Sequence, residues 1–155
     1  MSGEILALFG PNLAMLGRRE VGIYGEVGLD EIRGALEQRA AARGRRIRWV
    51  VSNHEGELVD ALNAAVGAVD GMLVNPGGLT HTSVALRDAL VAVGVPAVEV
   101  HLSNIHAREE FRRTSLIADV VTGQVAGLGA VGVVRALDAL LDLLDGARLP
   151  EPVRT

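Results

Sequence analysis

Short apolar runs alternate along this chain with longer segments in which apolar residues recur every third or fourth position. Ile5–Phe9 is an apolar run stopped by Gly10-Pro11-Asn12, which predicts a strand ending in a turn. Leu29, Ile32, Leu36 and Ala40 share one helical face, and Gly44 supplies a stop. Ile47–Val51 is a second strand, and Glu57–Val69 a second helix with Leu58, Leu62 and Val66 along its inner stripe. Met72–Val74 predicts a third strand, ended by Asn75-Pro-Gly-Gly78, and Thr82–Val93 a third helix with Thr80 or Thr82 as its cap. Ala97–His101 is a fourth strand. Val120–Thr122 and Gln124–Ala126 form a short fifth, with Gly123 as a bulge, before a last helix from Val131 to Leu144. Such alternation predicts an α/β fold: a doubly wound, five-stranded parallel sheet with helices on both faces. One domain over residues 1–148 is expected, with a loosely ordered tail over 149–155.

Composition narrows the choice of chemistry. Apolar residues make up 49% of the chain, yet Phe occurs twice and Trp and Tyr once each, so Leu, Val, Ile and Ala build the core. A net charge of −4 argues against nucleic acid as the main partner. Cysteine is absent, which excludes disulfides, thiolate metal sites and Cys nucleophiles. The N-terminus lacks the pattern of a signal peptide and no stretch is long enough to span a bilayer, so a cytoplasmic location away from membranes is expected.

In a parallel sheet, ligands bind beyond the carboxyl ends of the strands. Three polar clusters fall there: Gly10-Pro-Asn12, Asn75-Pro-Gly-Gly78 and His101-Leu-Ser-Asn104. Glu99 and His101 alternate with apolar residues on the fourth strand and therefore project from the same face. Arg108, Arg112 and Arg113 follow, so an acid/base pair stands beside clustered guanidiniums, an arrangement suited to a small anionic substrate. Residues 13–28 are Gly-rich and read as a long loop, the kind that covers a site, and they hold Arg18, Arg19 and Tyr24. A free phenol, with a pKa of about 10, is a poor base, but a neighbouring guanidinium favours the phenolate. Taken alone, a loop tyrosine is unremarkable surface.

Other motifs carry less. Gly127-Leu-Gly129-Ala-Val-Gly132 matches a dinucleotide fingerprint, but too little chain follows for a second strand to reach a ribose. Close packing of the last helix is the better reading. Asn75–Ser83 lacks the Gly-Lys-Ser/Thr ending of a phosphate loop. The four histidines form no recognised ligand set, so no metal is expected. The run Arg43-Gly-Arg-Arg-Ile-Arg48 reads as the cationic end of the first helix.

Several segments fall in a recognisable order: Gly10-Pro-Asn-Leu13, Gly17-Arg-Arg-Glu20, Tyr24-Gly25, Ser52-Asn-His-Glu-Gly-Glu-Leu58, Asn75–Asp88, Glu99-Val-His-Leu-Ser-Asn104 and Arg108-Glu-Glu-Phe-Arg112. Over roughly residues 4–145 the chain resembles type II 3-dehydroquinate dehydratase, the flavodoxin-like enzyme of the shikimate pathway. The resemblance implies a cofactor-free anti elimination of water from 3-dehydroquinate through an enolate. By position it makes Tyr24 the base at C2, Arg19 its activating cation and lid residue, and His101 the acid for the C1 hydroxyl. Glu99 would orient His101, and Asn12 would stabilise the enolate through a bound water. Asn75, Leu102 and Ser103 would hold the substrate carboxylate, His81 and Arg112 the ring hydroxyls, and Arg108 would join the polar network that closes near Tyr24. Asp88 would reach a neighbouring subunit's site, implying a trimer and a dodecamer of four trimers. No lysine stands in any candidate site, unlike the imine-forming type I enzyme.

The sequence departs from the family pattern at Phe9 and Ala14, where polar residues are usual, and at Val21, where Pro is usual. These changes bear on the lid and on packing beneath Asn12, and touch no catalytic position. A flavodoxin-like binding module for flavin or another anionic ligand is the alternative, weakened by the scarcity of aromatic residues.

Overall fold

In the computed structural model, which describes residues 2–147, five parallel strands form one sheet. They are β1 (Glu4–Phe9), β2 (Arg46–Val51), β3 (Gly71–Asn75), β4 (Ala97–His101) and β5 (Gly123–Ala126), in the order β2-β1-β3-β4-β5. Strand order reverses between β1 and β3, which sets the carboxyl ends of β1 and β3 at the switch point where such sheets bind ligands. The predicted tail over 149–155 lies outside the described residues.

Both faces of the inner strands are covered, which is why their sequences run apolar without alternating. Ile5, Ala7, Phe9, Val98 and Val100 pack under α2 (Leu29–Ala42) and α5 (Gly129–Leu144). Leu6, Leu8, Met72 and Val74 pack under α3 (Glu55–Ala65) and α4 (Val84–Val93). Because Val98 and Val100 face α5, Glu99 and His101 point to the opposite side. Leu36 and Leu62 are fully buried in the two layers, and truncating either to Ala would cost roughly 2–5 kcal/mol. No helix among the described residues is long and apolar enough to cross a membrane.

Element boundaries differ from the sequence reading where local hydrogen bonds compete with periodicity. Residues 13–28 are not wholly loop: Leu13–Met15 forms a 3-10 turn and Val21–Tyr24 a single helical turn, α1, in which the N–H groups of Ile23 and Tyr24 donate to the Glu20 carbonyl. α3 ends at Ala65 because Val66 turns extended, half exposed, before Gly67 at φ 70°. Neither Thr80 nor Thr82 caps α4. Ser83 does so, its hydroxyl accepting from Leu86 N–H at 2.9 Å, while Thr80 is buried in the preceding 3-10 turn, Gly77–His81. β5 starts at Gly123, paired in plain register with Val98 and without a bulge. Val120 and Val121 instead donate to the Ile117 carbonyl in a turn.

α5 begins two residues before the predicted Val131. A Cβ on Gly132 would stand 2.9 Å from Leu128 Cβ, so that glycine of the GxGxxG run answers a packing need.

Candidate active site

Two glycines let the ends of β1 and β3 meet closely enough to form one cleft. A Cβ at Gly10 would lie 2.3 Å from the Pro76 carbonyl oxygen, and one at Gly77 (φ 60°) 2.8 Å from that of Pro11. Gly10 N–H donates to the Asn75 carbonyl at 2.8 Å, tying the two strand ends together. Above them lies a cleft of about 140 Å³, lined by Asn12, Arg19, Tyr24, Asn75, His81, His101, Leu102, Ser103, Arg108 and Arg112, among others. Drug-sized ligand cavities run to about 300–1,000 Å³, so the space suits one small ring rather than a nucleotide. The three strand ends and the 13–28 segment are thus brought together as the sequence led us to expect. Arg113 is exposed and outside the cleft.

Tyr24 lies between cations. Arg108 Nη1 donates to its hydroxyl oxygen at 2.9 Å and Arg19 Nη2 at 3.4 Å, with guanidinium carbons 5.2 and 4.6 Å from the ring centre. Arg108 also donates to Ser103 Oγ at 3.3 Å. Arg19 is held by Glu20 (Nη2–Oε2 2.6 Å), whose backbone sits in the left-handed region at φ 34°. A non-glycine residue there costs on the order of 1–3 kcal/mol, and this strain falls at the turn between Arg19 and Tyr24.

Asn12 also adopts a left-handed backbone, φ 69°, which Asn tolerates better than most residues. Its N–H donates to Asn53 Oδ1 at 2.9 Å, so the end of β2 braces it. Asn75 is buried, and its Oδ1 accepts from Gly77 N–H at 3.2 Å, which turns its amide nitrogen outward as a donor.

His101 Nε2 lies 3.2 Å from Glu99 Oε2, off the line of a good hydrogen bond. Glu99 has no exposure at all. Burial pushes its carboxyl up, but the neighbouring His101 imidazole and the hydrogen bonds from Ser115 (Oγ–Oε1 2.5 Å) and Gln124 outweigh that and hold it below the usual carboxylate range. His81 Nδ1 lies 2.8 Å from the Thr114 carbonyl. A carbonyl only accepts, so Nδ1 carries the proton. Burial first, then the charges of His101 and Arg112, keep His81 below the usual imidazole range. Neutral His81 therefore offers Nε2 to the site as an acceptor.

Arg112 is fixed by Glu109, whose Oε2 accepts from its Nε at 2.7 Å and lies 3.8 Å from Arg108 Nε. The backbone N–H of Glu109 itself and then Arg112 hold that carboxyl low. Asp88 does not join the cleft of its own chain; it stands exposed on α4. Among the described residues no group of three or more His, Asp or Glu is placed to hold a metal ion.

Sequence reasoning missed the braces of the site: Asn53, Glu109, Thr114, Ser115 and Gln124. Asn53 and Glu109 stand within the segments that carry the resemblance but without an assigned role, and Gln124 is marked only as a polar residue within an apolar strand run.

Of the departures, Phe9 is fully buried with its ring edge-on to Trp49 at 5.5 Å, and Ala14 and Val21 are exposed.

The model of the family described as dehydroquinase class II matches residues 3–141. A 3-dehydroquinate dehydratase of Roseiflexus castenholzii is 55% identical over 89% of this chain and 88% of its own. One from Desulforudis audaxviator is 48% identical, covering 94% and 97%. The crystal structure of type II dehydroquinase from Butyrivibrio crossotus superposes with a TM-score of 0.84 at 37% identity, over 92% of this chain and 97% of that one. With a family match over most of its length and relatives this similar in both sequence and fold, the chain belongs to the class II dehydroquinases.

Proposed function

We propose that this protein is a 3-dehydroquinate dehydratase that removes water from 3-dehydroquinate without a cofactor, by anti elimination through an enolate. The relatives bear that name, and the cleft supplies a base and an acid from different elements. The observation that carries the reading is Tyr24: two guanidiniums flank the oxygen on which negative charge must appear for it to act as a base. A proton beside a ketone is acidic enough for a phenolate to remove. Tyr24 takes the C2 proton, and His101, set over ionised Glu99, protonates the departing C1 hydroxyl. Asn12 holds a water against the enolate oxygen, which spreads the developing charge.

Binding follows from the fixed donors. The outward amide of Asn75, with Leu102 and Ser103, receives the substrate carboxylate. Arg112 and the acceptor nitrogen of His81 meet the ring hydroxyls. Arg108 closes over Tyr24 together with Arg19, and their closure excludes water from the enolate.

We extend the proposal to assembly. Val84, Asp88 and Val91 recur at helical spacing on α4, and both valines are more than half exposed. That face meets a neighbouring subunit, to whose site Asp88 reaches, giving a trimer and a dodecamer of four trimers. A cytoplasmic, single-domain enzyme of the shikimate pathway completes the reading. Binding of a flavin gains no support, because the one tyrosine ring in the cleft is already covered by Arg19 and Arg108. Growth of enone absorbance on adding 3-dehydroquinate, undiminished by a chelator, is the test. A flat trace with a folded protein would remove the proposal.

A further inference from the structure

The buried carboxylate of Glu99 is held by two side chains to which the reaction as described gives no part. Gln124 stands directly across from Glu99 in the β4–β5 register, and its amide nitrogen donates to Oε2. Gln124 is itself exposed, so it forms the cover between Glu99 and water. Ser115 donates to Oε1 at 2.5 Å. Its direction is fixed, since Ser115 Oγ accepts from the N–H groups of Ile117 and Ala118 at 3.3 and 3.1 Å, which leaves its own proton for the carboxylate.

The segment that carries Ser115 is anchored on both sides. The Thr114 carbonyl takes His81 Nδ1 at 2.8 Å, Leu116 N–H donates to the Thr80 carbonyl at 2.8 Å, and Arg87 Nη1 donates to the Leu116 carbonyl at 2.7 Å. One three-residue strap therefore fixes a substrate-facing histidine and the carboxylate beneath the other.

We infer that Ser115 and Gln124 are positioning residues of the dehydration, which hold Glu99 ionised and aimed so that His101 can deliver its proton. The inference rests on the reading of His101 as the acid. Its physical basis is the off-line contact between His101 Nε2 and Glu99 Oε2 at 3.2 Å. That contact alone fixes neither group, so the placement of the carboxylate depends on its other two donors. Without them Glu99 can turn and take up a proton, and the imidazolium loses its countercharge.

Few other charges face the pair. β3 and β5 carry none, and α5 packs on the opposite face of β4. His81 and Arg112 face it from the segments that follow β3 and β4. Arg87 of α4 is occupied by Asp119 and the Leu116 carbonyl. A change in the pH profile on altering Gln124 is thus read through Glu99.

The experiment measures kcat and KM for 3-dehydroquinate against pH in Gln124→Leu, Gln124→Glu, Ser115→Ala, Ser115→Thr and His101→Ala. Loss of one hydrogen bond to a charged group predicts kcat about tenfold lower in Gln124→Leu and Ser115→Ala, with KM little changed. In both, the acid limb of the kcat profile moves to higher pH, because Glu99 protonates more readily. Gln124→Glu moves it further by setting a second carboxylate opposite the first, and Ser115→Thr, which keeps the hydroxyl, restores the wild-type profile. Gln124 lies on an exposed edge strand, so its variants also test the idea should Ser115→Ala fail to fold. Superimposable profiles for Gln124→Leu and wild type, with His101→Ala inactive, would overturn the inference and leave the acid in place. Near-normal turnover in His101→Ala would overturn both.

Discussion

The hydroxyl oxygen of Tyr24 accepts a hydrogen bond at 2.9 Å from Arg108, a residue 84 positions away in the sequence. This contact joins the segment after β1 to the segment after β4 and closes one wall of the cleft. Removing the cation takes away a charge-assisted bond of about 1.5–3 kcal/mol. Arg108→Ala should therefore lower kcat by roughly 10–100-fold, and Arg108→Lys should recover only part of the loss, as a point charge cannot serve Tyr24 and Ser103 together. Steady-state kinetics on the two variants decides it; wild-type kcat in Arg108→Ala would detach Arg108 from the base.

His81 gives the protein a pH-dependent stability of defined sign. Its imidazole is held below the ordinary range by burial, so around the ordinary histidine pKa the unfolded chain binds more protons than the folded one. Stability contributed by neutral His81 is present above that pKa and is lost as pH falls from there toward the lower folded value. Thermal midpoints should drop as pH falls below the ordinary histidine range, and His81→Gln should flatten that part of the curve. An unchanged slope in the variant would assign the acid sensitivity elsewhere.

Glu99→Leu should destabilise the fold as well as slow the reaction. It leaves the hydroxyl of half-buried Ser115 without its acceptor and frees the amide of Gln124 to water, a loss on the order of 1 kcal/mol. The folded carboxyl is held low, so its contribution is present above the ordinary carboxylate pKa and lost as pH falls through the folded value. Denaturant titrations of wild type and variant should therefore converge as pH falls through that acid range. A constant gap between the two curves would show that the charge of Glu99 is not what stabilises.

Gly10→Ala and Gly132→Ala should separate the glycines of the site from those of the scaffold. The first drives a methyl group into the Pro76 backbone beneath Asn12 and Asn75, so turnover and stability should both fall. The second meets the Leu128 and Val125 side chains and should cost stability while kcat in the surviving fold stays normal. Full activity in Gly10→Ala would mean that the two strand ends need not meet as described.

Exposed Val84, Asp88 and Val91 predict an assembly larger than one chain. Light scattering should give a trimer or its multiple, and Val84→Arg on the same face should release monomers with much reduced turnover. An active monomer would free Asp88 from any role in a neighbour's site.

The sheet was legible because Ile5–Phe9, Met72–Val74 and Ala97–His101 are short apolar runs between turn residues, and burial on both faces demands that pattern. Glu99 and His101 stood out for the same reason, as charges inside such a run. Val120–Thr122 reads as strand because all three residues are β-branched, while the Ile117 carbonyl captures Val120 and Val121 in a turn that no periodicity marks. Val21–Tyr24 hid its helical turn behind Gly22 and Gly25. The roles of Ser115, Asn53 and Glu109 were not legible, because a polar residue in an irregular segment gains its role only from what the fold sets opposite it. Gln124 became significant only once β4 and β5 were in register.

The division of labour between Tyr24 and His101 is tested most directly by following 3-dehydroquinate in deuterated water by NMR, with both C2 proton exchange and loss of water recorded. His101→Ala should still exchange the C2 proton while dehydration stops, and Tyr24→Phe should lose both, each elimination falling by about 10²–10⁴-fold. Continued C2 exchange in folded Tyr24→Phe, or unimpaired dehydration in His101→Ala, would contradict the account.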